Sequence, residues 1–195
     1  MERSRASQIL VTGIWCLVSL TGISGLITYS YQGGETHSAL KNWPAASPIS
    51  RDDNRQTALV FLHPQCACSQ AALAEICRLK AQLGERVSWV AILWLPAEAP
   101  DSWRDARNCR NVREMSELTI FEDLGGLETR RFRATTSGEV QLYSADGRLE
   151  FLGGVTSSRG HEGVNLGTLA IADWAVKGIS PHSTCKVYGC GLGTP

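Results

Sequence analysis

Ala58-Leu59-Val60-Phe61-Leu62-His63-Pro64-Gln65-Cys66-Ala67-Cys68-Ser69 is the stretch on which the reading of this chain turns. Its continuous apolar run, Ala58 to Leu62, has the character of a strand buried on both faces. His63-Pro64 stops that run, because proline lacks an amide donor and holds the residue before it extended. Beyond the two cysteines, Leu73, Ile76, Cys77, Leu79 and Leu83 recur at helical spacing until Gly84 ends the pattern. Both sulfurs therefore belong at a strand-to-helix junction, near unpaired amides and the positive end of the helix dipole. That environment favours thiolate, the form that attacks disulfides and binds soft metals. Two residues apart, the Cα atoms can fall within the window of about 4.4–6.8 Å that a disulfide needs.

Outward from this element, Val87 to Leu95 reads as a second buried strand closed by Pro96, followed by a polar helix from Trp103 to Met115. Leu118 to Phe121 is a third short strand, and Leu127 to Phe132 a helical turn. Glu139 to Ser144 and Arg148 to Leu152 flank Asp146-Gly147, a strong hairpin signal. Asn165 can cap a last helix whose apolar face carries Leu166, Leu169, Ala170, Ile171, Trp174 and Ala175, with Gly178 at its end. The expected layout is β-α-β-α-β(α)-β-β-α, an α/β domain.

Toward the N-terminus no charged residue occurs from Ala6 to Gly34, and the apolar part, Ile9 to Tyr29, suffices for a membrane span of about 20 residues. Arg3 and Arg5 precede it and Glu35 follows, so the expected topology is N-in, C-out, with the domain in the periplasm or an equivalent extracytoplasmic space. The competing reading is a cleaved signal, but no A-x-A-like site stands near Tyr29 to Gly34. Cys16 is then a plain membrane-helix residue. Residues 35–56 lack periodicity and read as a tether, residues 57–180 as the domain and residues 181–195 as a cysteine-containing tail. With 19 Lys+Arg against 19 Asp+Glu, the chain lacks the basic footprint of a nucleic-acid binder. Seven cysteines are too sparse for a disulfide scaffold and ample for redox or metal chemistry.

Phe61-Leu62-His63-Pro64-Gln65-Cys66-Ala67-Cys68-Ser69 resembles the active-site slot of membrane-anchored, extracytoplasmic thioredoxin-like proteins, where a strand leads through Trp-Cys-x-x-Cys into a helix. More narrowly, His-Pro-x-Cys-x-Cys-Ser, with Thr156-Ser157-Ser158-Arg159-Gly160-His161-Glu162-Gly163-x-Asn165 and Cys185-x-Val187-x-Gly189-Cys190, resembles the RedB-like proteins. The resemblance covers about residues 57–178 and implies a thioredoxin-like fold, a mixed central sheet with flanking helices. Cys66 matches the attacking cysteine. Ser69 stands in the second cysteine's place, and Cys68 comes one residue early. A Cys-x-Cys ring is tighter, so its disulfide is expected to be strained and oxidising. The family's cis-proline, which shapes its substrate-peptide groove, would fall near Gly138 and is missing.

The expected catalytic pair is Cys66 and Cys68, with His63, Ser69 and His161 as possible modulators. His63 is either a strand-end residue or a participant that stabilises thiolate or binds metal, and His161 either a solvated loop residue or a functional one. Arg104, Arg107, Arg110 and Arg113, and likewise Arg130, Arg131 and Arg133, read as solvated faces. Cys77 is expected to be buried, Cys109 is ambiguous, and the two are free or mutually bonded. Cys185 and Cys190 are the candidates for a local structural disulfide.

The leading expectation is a thiol-disulfide oxidoreductase that needs no cofactor. Its partners would be protein thiols or disulfides outside the cytoplasm and a membrane electron donor or acceptor. A copper-binding chaperone using Cys66, Cys68 and either His63 or His161 is the alternative. A non-catalytic interaction domain is the third.

Overall fold

The computed structural model describes residues 2–35, 39–116 and 118–193. The chain divides after Gln32 into two units. The first is a single helix, α1 (Glu2–Tyr31), whose stretch Arg5–Tyr31 is long and apolar enough to cross a membrane; a signal sequence would pass the same test.

The second unit is built on one five-stranded sheet. Its elements are β1 (Gln56–Leu62), α2 (Ser69–Leu83), a 3-10 turn (Gly84–Arg86), β2 (Val87–Leu95), α3 (Asp101–Arg104), α4 (Arg107–Glu114), β3 (Thr119–Leu124), α5 (Leu127–Arg131), β4 (Glu139–Tyr143), β5 (Leu149–Gly154) and α6 (Leu166–Lys177). The strand order is β3-β2-β1-β4-β5. β1, β2 and β3 run parallel, β4 pairs antiparallel with β1, and β5 antiparallel with β4. This mixed sheet with flanking helices is the thioredoxin-like arrangement that the strand–cysteine–helix element leads one to expect.

Apolar residues cover both sheet faces. One face packs Val60, Leu62, Ile76, Leu79, Leu93, Leu142 and Ile171 under α2, α4 and α6, and the other packs Leu59, Phe61, Ile92, Phe132 and Tyr143. β1 is thus sheathed on both sides, which explains why its sequence is apolar without alternation. The Asp146-Gly147 turn forms as expected, with Gly147 in the left-handed region at φ 86°. Asn165 caps α6: its side chain accepts from the Gly167 and Thr168 amides, and Thr168 Oγ1 accepts from the Asn165 amide.

Three expectations differ from what is seen. The presumed tether is folded onto the domain from residue 39 onward. Trp43 meets Phe132 and Tyr143 edge-on at 5.1 Å each, Ile49 is buried, and Lys41 and Trp43 exchange backbone hydrogen bonds with the β4–β5 hairpin. Such a segment makes its contacts through two isolated apolar anchors, so it shows no periodicity. The polar helix is broken in two, because Ala106 is extended between α3 and α4. Arg104 and Arg113, expected to be solvated, both pair with Glu122, and Arg131 pairs with Glu128.

Candidate functional site

The cysteine loop sits where the central strand β1 ends. Its backbone is wound into overlapping turns: the Cys66 amide donates to His63 O (3.1 Å), Ser69 N to Cys66 O (3.2 Å) and Gln70 N to Ala67 O (3.3 Å). Asn108 on α4, itself buried, ties the loop down by donating its side-chain amide to both His63 O (3.0 Å) and Cys66 O (2.8 Å). Cys68 is the N-cap residue of α2 in helical conformation. Cys66 is 1% exposed, whereas Cys68 is partly exposed. The two thiols are within hydrogen-bonding reach of each other.

Ser69, in the place where the resemblance puts a second cysteine, is fully buried. Its hydroxyl lies 2.6 Å from Ser137 Oγ, which also accepts from the His63 amide at 2.7 Å. Ser69 is in addition a hydrogen-bond partner of the Cys66 sulfur through both side chain and backbone. One placement of hydrogens satisfies all of these contacts: His63 N–H to Ser137, Ser137 O–H to Ser69, Ser69 O–H to Cys66.

A third thiol enters from the C-terminal tail. Cys190 is a hydrogen-bond partner of Cys66 through its side chain and its backbone. The tail reaches this point by strand-like pairing: the Ser137 amide donates to Cys190 O (2.8 Å), Leu192 N to Thr135 O (2.7 Å), and Thr136 bridges Gly191 antiparallel. Arg159 Nη1 donates to Gly189 O at 2.7 Å, and the same side chain hydrogen-bonds the Cys68 thiol. Glycines permit the close approach. A Cβ on Gly189 would stand 1.8 Å from Ser137 O, one on Gly154 2.7 Å from Lys186 O, and one on Gly153 2.6 Å from the Cys185 amide nitrogen. Gly138, in the slot where the resemblance places a proline, has φ 91° and donates its amide to Phe61 O.

These contacts divide the thiols electrostatically. Burial pushes the Cys66 thiol up, but hydrogen bonds from Cys190 and Ser69 outweigh it and leave Cys66 below its ordinary value. The Cys68 thiol is raised, by desolvation first and by the neighbouring Cys66 second, with Arg159 opposing. Cys190 is exposed as a residue, yet partial desolvation of its thiol and then the proximity of Cys66 push it up to about 12. Cys66 is therefore the sulfur that ionises, and Cys190 keeps its proton to donate to it.

The remaining expected residues fall as follows. His63 is stacked on Trp94 (centroids 5.5 Å apart, 15° between planes) and tilted against Trp103 at 5.1 Å. Its Nδ1 accepts from the Gln65 amide, and burial lowers its pKa, so it is the neutral lid of an aromatic cluster. His161 is exposed, with Nδ1 3.0 Å from Arg159 O. The copper ligand set is not assembled: among the described residues no group of three or more His, Cys, Asp or Glu is arranged to hold a metal ion. All seven cysteines are free thiols. The expected local bridge between Cys185 and Cys190 is absent, since Cys185 is held at β5 by hydrogen bonding of its amide to Leu152 O while Cys190 is delivered to Cys66. Cys77, expected to be buried, is exposed, because the buried face of α2 is centred on Ala72, Leu73, Ile76, Leu79 and Leu83. Cys109 is fully buried, its Sγ 3.4 Å from Trp103 O.

Asn108, Ser137, Arg159 and Cys190 complete the site and were not singled out for it in the sequence. Arg159 and Cys190 lie inside the RedB-like motifs, which is the one signal that could have drawn attention to them.

No protein-family model matches the chain, and no curated protein matches it. Among solved structures, a hypothetical protein from Sinorhizobium meliloti is similar at TM-score 0.66 and 15% identity, covering 84% of this chain and 98% of that one. An uncharacterized conserved protein from Geobacillus kaustophilus is similar at TM-score 0.56 and 18% identity, covering 85% and 93%. A secreted Mycobacterium tuberculosis disulfide oxidoreductase is a looser match, at TM-score 0.41 and 15% identity over 65% and 83%. The likeness is one of fold, and the fold is a thioredoxin-like mixed sheet with the cysteine loop at the end of its central strand.

Proposed function

We propose that this protein is a membrane-anchored thiol-disulfide oxidoreductase, with α1 as its anchor, its domain outside the cytoplasm, and Cys66 as the attacking thiol. The observation that carries the reading is Cys66 itself: a cysteine at the start of a helix, enclosed by the fold, whose sulfur collects hydrogen bonds from Ser69 and Cys190 and is biased toward thiolate. A buried structural cysteine has no use for such donors.

In the reducing direction the Cys66 thiolate attacks one sulfur of a target disulfide, forming a mixed disulfide and releasing the other half of the target as a thiolate. A second thiol of the protein then attacks Cys66 Sγ and releases the first half. The net exchange is one target disulfide reduced to two thiols and one protein dithiol oxidised to a disulfide. In the oxidising direction the same steps run backward. The targets are protein thiols and disulfides outside the cytoplasm, and a membrane redox partner returns the pair to its starting state.

The test is thiol exchange by the reduced full chain in detergent micelles with a dye-quenched glutathione disulfide. Cys66→Ser is expected to slow the release of dye roughly 100-fold, since it removes the thiol that the site biases toward thiolate. Release at the wild-type rate by Cys66→Ser would refute the reading.

A further inference from the structure

We infer that the thiol that resolves Cys66 is Cys190, on the C-terminal strap, and that the working redox bridge is Cys66–Cys190 rather than Cys66–Cys68. This rests on the oxidoreductase reading above and names its second thiol.

The strap is positioned on both sides of the site. Upstream it lies along β5, where Leu152 N donates to Ser183 O (2.9 Å), Cys185 N donates to Leu152 O (3.1 Å) and Val187 is fully buried. Downstream it pairs with residues 135–137 through Cys190 O and Leu192 N. Arg159 holds Gly189 O between these two stretches. Cys190 thus reaches Cys66 from a separate segment, and a bridge between them leaves the cysteine loop wound as it is.

Cys68 is also within hydrogen-bonding reach of Cys66, but from within the same wound segment. Three backbone hydrogen bonds and the two from Asn108 fix that segment. A bridge between sulfurs only two residues apart closes a tight ring inside that hydrogen-bonded turn and strains it, which a bridge to a separate segment does not. The Cys68 thiol is also a hydrogen-bond partner of Arg159, which Cys190 does not share.

The electrostatics impose an order of events. While Cys66 is a thiolate, its charge helps keep Cys190 protonated. Formation of a mixed disulfide R–S–S–Cys66 removes that charge, so the Cys190 proton is released more easily at the moment when its sulfur is needed. Cys190 thiolate then attacks Cys66 Sγ, the Cys66–S–R bond breaks, and RS⁻ leaves to take up a proton. Two electrons have passed from the Cys66/Cys190 dithiol to the target disulfide.

The experiment treats the reduced full chain, in detergent micelles, with oxidised glutathione, quenches with an alkylating agent and maps linked peptides by mass spectrometry. Wild type and Cys68→Ser are both expected to give a Cys66–Cys190 link. Cys190→Ser is expected to accumulate Cys66 carrying glutathione, surviving at least about tenfold longer than in wild type, because intramolecular resolution has been lost. A Cys66–Cys68 link in wild type, or unchanged mixed-disulfide lifetime in Cys190→Ser, overturns the assignment of Cys190 and leaves Cys66 as the nucleophile. Absence of any glutathione adduct or link at Cys66 overturns the oxidoreductase reading itself. The wild-type map needs no substitution, so a variant that folds poorly does not remove the test.

Discussion

Ser69 Oγ and Ser137 Oγ meet at 2.6 Å in a spot closed to solvent. Through this contact the loop before β4 supports the thiol at the end of β1, because Ser69 is a hydrogen-bond partner of Cys66. Ser137→Ala leaves Ser69 free to turn its hydroxyl proton elsewhere and leaves the His63 amide without its acceptor. The expected result is a Cys66 alkylation profile shifted to higher pH, together with a loss of about 1–2 kcal/mol of stability. Ser137→Thr, which keeps the hydroxyl, should restore the profile if its added methyl is accommodated.

Cys66 itself is expected to react at pH values below the ordinary thiol range. In the reduced protein, its alkylation rate should reach its plateau at lower pH than that of the partly exposed Cys68, whose thiol is raised. Removing the strongest donor, as in Cys190→Ala, leaves burial opposed only by Ser69, so the profile should move up. Mass spectrometric footprinting across a pH series resolves the two sites.

Gly189→Ala tests how the strap is seated. A Cβ there would lie 1.8 Å from a backbone oxygen that has no side-chain freedom with which to yield. Displacement of the strap should cost about 1–3 kcal/mol, raise the Cys66 pKa and expose Cys190 to faster alkylation, all without altering any sulfur. An unchanged Cys66 profile in a folded Gly189→Ala protein would show that the strap does not govern this thiol.

Glu139, at the start of β4, is buried, and desolvation raises its pKa to about 7 despite hydrogen bonds from Gln141 and the Thr135 amide. Its folded value lies above its unfolded one, so the native state holds the proton more tightly. The associated stability is fully present below about pH 4.5 and is lost as pH rises toward about 7, a decline on the order of 3 kcal/mol. Glu139→Gln should remove this decline and be more stable than wild type at pH 8, as read from thermal melts at pH 5 and pH 8.

How much of this was legible in the sequence depends on range. The strand–cysteine–helix element was readable because its determinants are adjacent: an apolar run, a proline stop and a helical repeat. The hairpin and the Asn165 cap were readable for the same reason. Ser137 and Cys190 were not, because what matters in them is a contact between distant segments, made by small residues that carry no periodic signal. Trp43 and Ile49 misled for a related reason: two isolated anchors within a polar stretch look like a linker until the surface they cover is known. Cys77 shows the limit of helical spacing, since four residues after Leu73 it still falls off the face that α2 buries.

The central claim is that Cys66 belongs to a redox-active dithiol. It is tested most directly by equilibrating the full chain, in detergent micelles, with glutathione buffers of graded potential and counting alkylated thiols by mass. The account predicts a single two-electron transition in wild type that is retained in Cys68→Ser and abolished in Cys66→Ser. A transition that persists in Cys66→Ser, or none in wild type across the range that glutathione can set, would contradict it.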